Sequence, residues 1–374
     1  MRVLFATGER YLPGVLGGAE LSVDELAREL ASRGHDCEVV AKVGDGAARL
    51  HHRVWRVLAR PSRAGRRDLA NGYPTYRALR GDVRAALAER LRDARPDVVL
   101  AWNAQAGALV SDAAAAGVRA ILWLPDLTPR PEVDASPPPL EVQVAGVSEF
   151  VARRTRERLG RPVGVLRPLV RLERYRATVR RPEFVTLVNP QAVKGLDVAL
   201  AVATRLPSRR FLFVVPRGFP PKLRAALRAA LPAHRNIEVV GPGPDMREVY
   251  GRTAVLLVPS QCEDASPRVV LEAQANGIPV VASEVGGIPE VSGGASVLLP
   301  PDASPERWSE AVDRLLTDPV AREDASRRSL ACAARPEFGP DAIADAFLRL
   351  AGAEARVIEA GRPPPPPPRA AGGP

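Results

Sequence analysis

Short apolar runs alternate with helix-forming stretches along nearly the whole chain, and this rhythm limits the possible folds more than any other feature. The first cycle joins an apolar run at residues 3–6, an amphipathic stretch that begins after Gly17 and Gly18, and an apolar run at 37–41. A strand, a helix and a strand in that order are typical of a parallel β-sheet with helices packed on its faces. Further runs extend this first predicted sheet at 97–101, 119–124 and 143–147.

The rhythm stops and restarts once, which predicts two domains. Residues 160–182 are rich in Arg and Pro, and the second half then repeats the pattern with apolar runs at 184–188, 211–215, 237–240, 254–258 and 278–282. We predict an α/β fold of two doubly wound, Rossmann-like parallel-sheet domains facing across a cleft, with C-terminal helices and a disordered Pro-rich tail. We predict a first domain at residues 1–170, a linker at 171–182 and a second domain at 183–335. A C-terminal helix at 336–357 is predicted to pack back on the first domain, and the tail occupies 358–374.

Composition and charge exclude several classes of function. Three Cys residues, Cys37, Cys262 and Cys332, are too far apart to indicate a disulfide framework or a zinc site. No apolar run approaches the roughly 20 residues of a membrane span, and the amino terminus lacks a signal-peptide pattern, so we expect a cytoplasmic protein. The net charge of +10 is spread along the chain without interleaved aromatic residues. We therefore expect no nucleic-acid binding, but contact with an anionic membrane surface or a phosphorylated substrate.

Lysine is scarce in this chain. Of 53 basic residues only Lys42, Lys194 and Lys222 are lysine. A position that keeps lysine against such a bias indicates a need for a compact cation rather than the broad guanidinium fork. Lys194 follows the run at 184–188, and ligands of parallel sheets bind beyond the carboxyl ends of strands, so Lys194 is a candidate site residue.

The densest polar motif lies at residues 259–290. Ser266 and Pro267 are favoured at a helix start, as N-cap and first helical residue. The next backbone amides, those of Arg268 and Val269, would then lack intrahelical partners and bind an anion such as a diphosphate. The Arg268 side chain adds positive charge to that site.

Carboxylates flank the predicted helix start. Glu272 lies about a turn and a half inside the helix, and Asp264 precedes it by eight residues. Either Asp264 or the adjacent Glu263 fills the first acidic position. Gly286 and Gly287 follow the next apolar run and are candidates for donor binding.

This stretch resembles the signature region of the family 4 retaining glycosyltransferases, which have the GT-B fold. The matching features are the two carboxylates eight residues apart, a G-x-P-V-V strand at 277–281 and a G-G-x-P-E loop at 286–290. The resemblance implies a nucleoside diphosphate sugar as donor, retention of anomeric configuration, and no metal or other cofactor. It assigns Glu272 to the ribose of the donor and an acidic residue to the transferred sugar or the acceptor.

A second segment, V-N-P-Q-A-V-K-G at 188–195, resembles the R-x-x-x-x-K-G motif of the family. Lys194 falls on the lysine of that motif and would stabilise the charge that develops on the departing diphosphate. Asn189 stands where the family usually has arginine. Arg217, in the loop after the next strand, is the candidate to replace that charge.

The first domain resembles the family in fewer places. Gly17, Gly18 and Glu20 match the Gly-Gly loop before the first helix, where glycine allows a backbone close to phosphates or to the acceptor. A plain helix-start turn is the alternative. Many members have a His and an acidic residue where this chain has Pro125 and Asp126, so Asp126 is the candidate for contact with the acceptor or the sugar.

The resemblance thus predicts a retaining, hexosyltransferase-like glycosyltransferase that takes part in cell envelope polysaccharide assembly. Its acceptor is a glycan, a lipid-linked glycan or a small molecule, and the protein is cytoplasmic or peripheral at the inner face of the membrane. Two alternatives stay open. A nucleotide-sugar epimerase on the same fold is opposed by the few histidines and the Lys-Gly motif, whereas a non-catalytic nucleotide-sugar-binding subunit is compatible with the missing His and Arg.

Overall fold

The computed structural model of the protein describes residues 1–13, 17–43, 66–78, 82–128 and 137–352. These residues form two α/β domains, each built on a twisted sheet with helices on its faces. The predicted tail at 358–374, and residues 353–357 of the predicted C-terminal segment, lie outside the described residues. Of the helices in these ranges, none combines the length and the apolar character that crossing a bilayer requires.

The first domain contains an eight-stranded sheet of order β3-β4-β2-β1-β5-β6-β7-β8. All neighbouring pairs are parallel except β3 with β4. The central strand Val98–Trp102 is buried along its whole length, as expected for a strand covered by helices on both faces. The strands are β1 Arg2–Arg10, β2 Asp36–Lys42, β3 Arg66–Asp68, β4 Thr75–Ala78, β5 Val98–Trp102, β6 Arg119–Leu124, β7 Gln143–Gly146 and β8 Gly164–Val165, and the helices are α1 Gly18–Ser32, α2 Val83–Ala94, α3 Ala106–Ala115 and α4 Glu149–Leu159.

The second domain contains a six-stranded parallel sheet of order β11-β10-β9-β12-β13-β14. This is the 3-2-1-4-5-6 order of dinucleotide-binding folds, in which the strand order reverses between the first and fourth strands. Its elements are β9 Phe184–Val188, α5 Leu196–Arg205, β10 Arg210–Val214, α6 Pro221–Ala230, β11 Ile237–Val240, α7 Met246–Arg252, β12 Thr253–Val258, α8 Arg268–Gln274, β13 Val280–Ser283, α9 Ile288–Ser292, β14 Val297–Leu299, α10 Pro305–Thr317 and α11 Pro319–Ala333. The switch point between β9 and β12 is where a ligand is expected.

The last described helix, α12 Pro340–Leu350, returns to the first domain. Its residues Ile343, Ala344 and Phe347 are buried in the same apolar cluster as the strands of the first sheet. The rings of Phe347 and Phe5 lie 6.2 Å apart between centroids. The first domain is therefore completed by a segment from the far end of the chain.

The predicted fold class is confirmed. Each of the ten predicted apolar runs lies in a strand, and the ends differ from the prediction by no more than two residues except in β1, which continues four residues further, to Arg10. Within the described ranges, four strands of two to four residues were not predicted: Arg66–Asp68, Thr75–Ala78, Gly164–Val165 and Val297–Leu299.

Candidate functional site

A cavity of about 690 Å³ opens between the two domains at the carboxyl ends of their strands. It spans the switch point of the second sheet, where a parallel α/β fold places its ligand. Ten of the predicted site residues line it: Gly18, Glu20, Asp126, Asn189, Lys194, Glu263, Asp264, Ser266, Arg268 and Val269. The other five predicted residues, all described, lie outside its wall: Gly17, Arg217, Glu272, Gly286 and Gly287.

Lys194 and Asp264 form a close ion pair on the cavity wall. The Lys194 Nζ donates to Asp264 Oδ2 at 2.6 Å, and Ser260 Oγ donates to the same oxygen at 3.2 Å. Lys194 ends a short 3₁₀ turn after β9, and Asp264 lies in the loop after β12, so the pair joins the two strands at the switch point. The Lys194 side chain is 30% exposed and the Asp264 side chain 13% exposed. The ammonium is therefore fixed in position yet accessible from the cavity.

The two neighbouring acidic residues have different surroundings. The Asp264 carboxylate faces Lys194, whereas Glu263 is half exposed and lies 3.8 Å from Arg154 of the first domain. Of the two candidates for the first acidic position, Asp264 is the one that contacts the predicted phosphate-binding cation.

Glu272 lies beneath the cavity wall. Its Oε2 accepts a hydrogen bond from the Tyr250 hydroxyl at 2.6 Å, and its Oε1 is 3.5 Å from Arg268 Nε. Burial raises the pKa of the Glu272 carboxyl above its ordinary value, and the charge of Arg268 opposes that rise. The predicted contact with a ribose thus requires the Tyr250 hydroxyl to share Glu272 or to move.

Arg268 has a different set of contacts from the one predicted. Arg268 lines the cavity, but its guanidinium contacts the first domain, where Nη1 donates to Ser22 Oγ and to the Leu169 carbonyl, both at 2.8 Å. Nη2 donates to the Tyr175 hydroxyl at 3.0 Å and to Glu25 Oε2 at 3.3 Å. Arg268 and Glu25 are both buried. Arg268, which was predicted to bind the diphosphate, is therefore part of a buried cluster of hydrogen bonds and an ion pair with Glu25, and this tie joins the two domains.

The helix start differs by one residue from the prediction. Helix α8 begins at Arg268, and Pro267 is its N-cap without a side-chain cap bond. Ser266 is consequently one position too early to cap the helix, although it lines the cavity. The amides of Arg268 and Val269 belong to the first turn, where backbone N–H groups have no intrahelical acceptor.

The two glycines of the 286–290 loop serve a close backbone contact rather than the cavity. The Gly287 N–H donates to the Asp264 carbonyl at 2.7 Å. A Cβ at Gly287 would lie 1.8 Å from the Ala265 carbonyl oxygen, and one at Gly286, whose φ is +61°, would lie 2.4 Å from the Asp264 carbonyl oxygen. These two glycines do not line the cavity, and their lack of a side chain lets this loop support the acidic loop; donor binding by them stays a prediction.

The predicted replacement of the missing arginine is also not observed. Asn189 lines the cavity at φ +63°, a left-handed conformation that Asn tolerates better than most residues, and its Oδ1 accepts from Gln191 Nε2 at 2.7 Å. Arg217 is exposed and packs beside Gly243. It follows β10, which lies on the far side of β9 from β12, so Arg217 is one strand further from the β9–β12 switch point than Asn189 is.

The wall from the first domain is acidic. Glu20, in the first turn of α1, is 5% exposed and accepts from Asn103 Nδ2 at 3.2 Å. The same Nδ2 donates to Glu9 Oε2 at 3.2 Å. Burial raises the pKa of the Glu20 carboxyl, and the charge of Glu9 adds to the rise. Asp126, after β6, also lines the cavity, and its Oδ1 accepts from the Thr128 N–H at 2.9 Å.

The tie between the domains was missed from sequence. Ser22, Glu25 and Glu29 lie on one stripe of α1, with spacings of three and four residues, and Glu29 pairs with Arg171 at 2.8 Å. Acidic residues on a buried helical stripe were the available signal, because such residues are almost never buried without partners. A further link between the domains runs from Ser148 Oγ to the Ala265 carbonyl at 2.7 Å. Among the described His, Cys, Asp and Glu side chains, no three lie close enough together to hold a metal ion.

Comparison with known families matches both halves of the chain. The model of the glycosyl transferases group 1 matches residues 182–318, and the model of glycosyltransferase family 4 matches residues 16–124. The chain belongs to the family 4 glycosyltransferases. The two matched segments contain most of the cavity wall, including Lys194 and Asp264 in the second and Glu20 in the first.

Similar proteins include enzymes and solved structures of the GT-B fold. A D-inositol 3-phosphate glycosyltransferase from Segniliparus rotundus is 33% identical over 175 residues, which is 44% of this chain and 38% of that protein. The chain thus spans little more than a third of the length of this curated relative. Anabaena HepE in complex with UDP-glucose superposes with a TM-score of 0.74 at 18% identity, covering 95% of this chain and 100% of that one. Sucrose-phosphate synthase from Thermosynechococcus elongatus gives a TM-score of 0.73 at 15% identity, covering 96% and 99%.

Proposed function

We propose that this glycosyltransferase family member moves a sugar from a nucleoside diphosphate sugar to an acceptor held by the first domain, with retention of anomeric configuration and without a metal ion. The observation that carries the proposal is the Lys194–Asp264 pair, 2.6 Å apart, on the cavity wall at the switch point of the second sheet. A nucleoside diphosphate sugar in the Anabaena HepE complex, which shares the fold, supports this class of donor.

Lys194 is suited to stabilise a departing diphosphate. An ammonium has three N–H donors, and one is directed at Asp264, so two remain for phosphate oxygens. A cation fixed before the reaction stabilises the charge on the leaving oxygens as it develops, with little cost of reorganisation. Asp264 acts by holding the ammonium, and the first amides of α8 provide further donors beside it.

Retention is compatible with the arrangement of charges. When the acceptor attacks from the face that the diphosphate leaves, a single cationic group on that face serves the departing group. The same diphosphate oxygens are then close enough to take the proton of the attacking hydroxyl. In the proposed step the acceptor oxygen forms a bond to the anomeric carbon of the sugar while the bond between that carbon and the diphosphate oxygen breaks. Lys194 supplies the fixed positive charge beside the departing diphosphate.

The test of the proposal is a transfer assay with a panel of UDP-, GDP-, ADP- and dTDP-sugars, with and without a chelator. We expect release of the nucleoside diphosphate in the presence of chelator, and an unchanged anomer by NMR. An inverted product would contradict retention, and activity that needs added Mg²⁺ would contradict metal independence. Nucleotide binding without turnover on any acceptor would favour the non-catalytic subunit.

Lys194→Ala supplies the site-specific part of the test. Loss of one preorganised charge donor is expected to lower kcat by about 100- to 1000-fold, with a smaller change in KM. The matched control is Lys222→Ala, which removes an exposed lysine on α6 and should leave kcat unchanged. Equal activity of the two variants would refute the role of Lys194.

We also propose peripheral contact with an anionic membrane surface, where envelope glycan or lipid-linked acceptors are assembled. The net charge of +10 supports this proposal, because a basic protein is attracted to anionic lipid at low ionic strength. Sedimentation with vesicles of mixed anionic and neutral lipid tests it. Binding that is equal for neutral vesicles, or insensitive to salt, would contradict it.

A further inference from the structure

We infer, on the basis of the proposed transferase function, that Glu25 of the first domain is a positioning residue for donor binding in the second. By holding the Arg268 guanidinium, Glu25 keeps the Glu272 carboxylate available to the ribose hydroxyls of a nucleoside diphosphate. The three side chains form a row of charges across the domain boundary. Arg268 Nη2 lies 3.3 Å from Glu25 Oε2, and Arg268 Nε lies 3.5 Å from Glu272 Oε1. None of the three side chains is more than 7% exposed.

Arg268 divides its hydrogen-bond donors unequally between the two carboxylates. A guanidinium has N–H donors on Nε, Nη1 and Nη2 in a fixed fork geometry. The bonds of Nη1 and Nη2 go to Ser22 Oγ, the Leu169 carbonyl, the Tyr175 hydroxyl and Glu25 Oε2. The remaining donor, on Nε, is buried and makes no hydrogen bond with any residue that the structure describes. The arginine is thus held on the side of Glu25, and Glu272 faces a donor that is near but not bonded.

This division of donors determines how strongly Arg268 binds Glu272. A guanidinium binds a carboxylate most strongly through two parallel N–H donors, such as those on Nε and Nη2, at about 2.7–2.9 Å. In Arg268 the Nη2 group is engaged by Glu25, and the Nε atom is 3.5 Å from Glu272, so this two-donor pair with Glu272 is not formed. A guanidinium released by Glu25 would turn toward Glu272 and form it. That pair would occupy the carboxylate oxygens that a ribose needs.

Glu272 is placed and charged as a hydroxyl acceptor should be. It lies on the face of α8 that carries the cavity-lining Arg268 and Val269, since residues three and four apart share a helical face. Its Oε2 accepts from the Tyr250 hydroxyl at 2.6 Å, and a carboxylate has about four lone-pair sites, so Oε1 can accept from a ribose. Burial raises the pKa of the Glu272 carboxyl, and the charge of Arg268 opposes that rise. The held guanidinium therefore favours the ionised acceptor from a distance at which it does not occupy it.

The experiment measures how strongly the full-length protein prefers a ribose over a sugar that lacks the 2′- and 3′-hydroxyls. Titration calorimetry gives the Kd of UDP, GDP and ADP and of their 2′,3′-dideoxy counterparts. For the base that binds, we expect the wild type to prefer the ribonucleotide by at least about tenfold, because hydrogen bonds to a charged group are among the stronger ones. Glu25→Gln should reduce this preference to less than about threefold and change the Kd of the dideoxynucleotide by less than about twofold.

Glu29→Gln is the matched control. Glu29 is a second buried acidic residue of α1, and it pairs with Arg171 at 2.8 Å and with Arg33 at 2.9 Å rather than with Arg268. Its neutralisation weakens the contact between the domains without releasing Arg268, so the ribose preference should stay at the wild-type value. Thermal unfolding verifies that each variant is folded.

Two further variants test the route through Arg268. Tyr175→Phe removes one acceptor of Nη2 without changing any charge, and its preference should lie between those of the wild type and Glu25→Gln. In an Arg268→Met background Glu25 has no guanidinium to hold, so adding Glu25→Gln should change the preference by less than about twofold. A larger change in that background would overturn the inference. If Glu25→Gln does not fold, Tyr175→Phe decides, and an unchanged preference in it would overturn the inference.

The outcomes separate this inference from the proposed function. If Glu25→Gln weakens the binding of both nucleotide classes equally, or of neither, Glu25 has a structural role alone and the inference is overturned. A wild type that turns over its donor but binds the two classes equally would overturn the inference and leave the proposed function in place. Failure of every nucleoside diphosphate to bind would overturn the proposed function itself.

Discussion

The buried tie between Arg268 and Glu25 yields a prediction about how the two domains are held together. Arg268→Met removes the guanidinium but keeps an unbranched apolar stem, so the change deletes four hydrogen bonds with little loss of volume. Glu25, whose side chain is fully buried, keeps the hydrogen bond from the Arg171 backbone N–H at 2.8 Å. Its charge is therefore less well compensated but not isolated.

The size of the effect follows from these contacts. Removing one partner of a buried ion pair costs about 3–5 kcal/mol, and the remaining N–H bond to Glu25 places Arg268→Met near the lower limit, at about 3 kcal/mol. Glu25→Gln leaves Arg268 with Glu272 at 3.5 Å, so we expect a loss of about 2 kcal/mol. Since both changes break the same interaction, the double variant should lose less than the sum, with a coupling energy of about 1–2 kcal/mol.

Urea unfolding of the wild type, the two single variants and the double variant measures that coupling. Tryptophan fluorescence and circular dichroism should be followed together, because a two-domain protein can unfold in more than one step. Arg327→Met with Asp324→Asn is the matched control, since this ion pair of 2.7 Å is on the surface and should contribute less than about 0.5 kcal/mol. Additive losses within about 0.5 kcal/mol for the Arg268–Glu25 cycle would refute the reasoning.

Three further predictions concern the cavity. The raised pKa of Glu20 means that the folded state holds this proton more tightly than the unfolded state, so its contribution to stability falls as pH rises above the unfolded value of 4.5. The Tm of Glu20→Gln relative to wild type should consequently increase between about pH 5 and about pH 7.5, and a constant difference would contradict this. Asp264→Asn should lower kcat by at least about tenfold because it releases Lys194, whereas Glu263→Gln should change it by less than about threefold; equal effects in the transfer assay would contradict the assignment. Gly287→Ala should lower both Tm and kcat, because its Cβ cannot fit 1.8 Å from the Ala265 carbonyl oxygen, and a variant with wild-type values of both would show that the loop can yield.

The fold was accessible from sequence because every strand of five or more residues contains an apolar run. Periodicity reports such runs directly, as in Phe184–Val188 and Val98–Trp102. The strands that were missed are too short to show a period. Arg66–Asp68 consists of charged residues and pairs antiparallel at the sheet edge, and Gly164–Val165 has only two residues.

The site was only partly accessible, for a geometric reason. The family motifs assign Lys194 and Asp264 to one site although 70 residues separate them, and the strand order, which places the ends of β9 and β12 side by side, explains their contact. The contacts of Arg268 depend on side-chain direction and on how the two domains dock, and neither is encoded in a periodic pattern. That Arg217 lies outside the cavity wall could not be read from the sequence, because the sequence does not show on which side of β9 its strand lies.

The return of helix α12 to the first domain has a consequence for biosynthesis. A ribosome releases the first 170 residues long before it releases Phe347, which packs against Phe5 in the first sheet. The apolar surface of the nascent amino-terminal half that α12 covers therefore stays exposed until translation is nearly complete. Because domains otherwise fold vectorially as they emerge, this polypeptide depends on the completion of synthesis, and on protection from aggregation in the interval, more than two independent modules would.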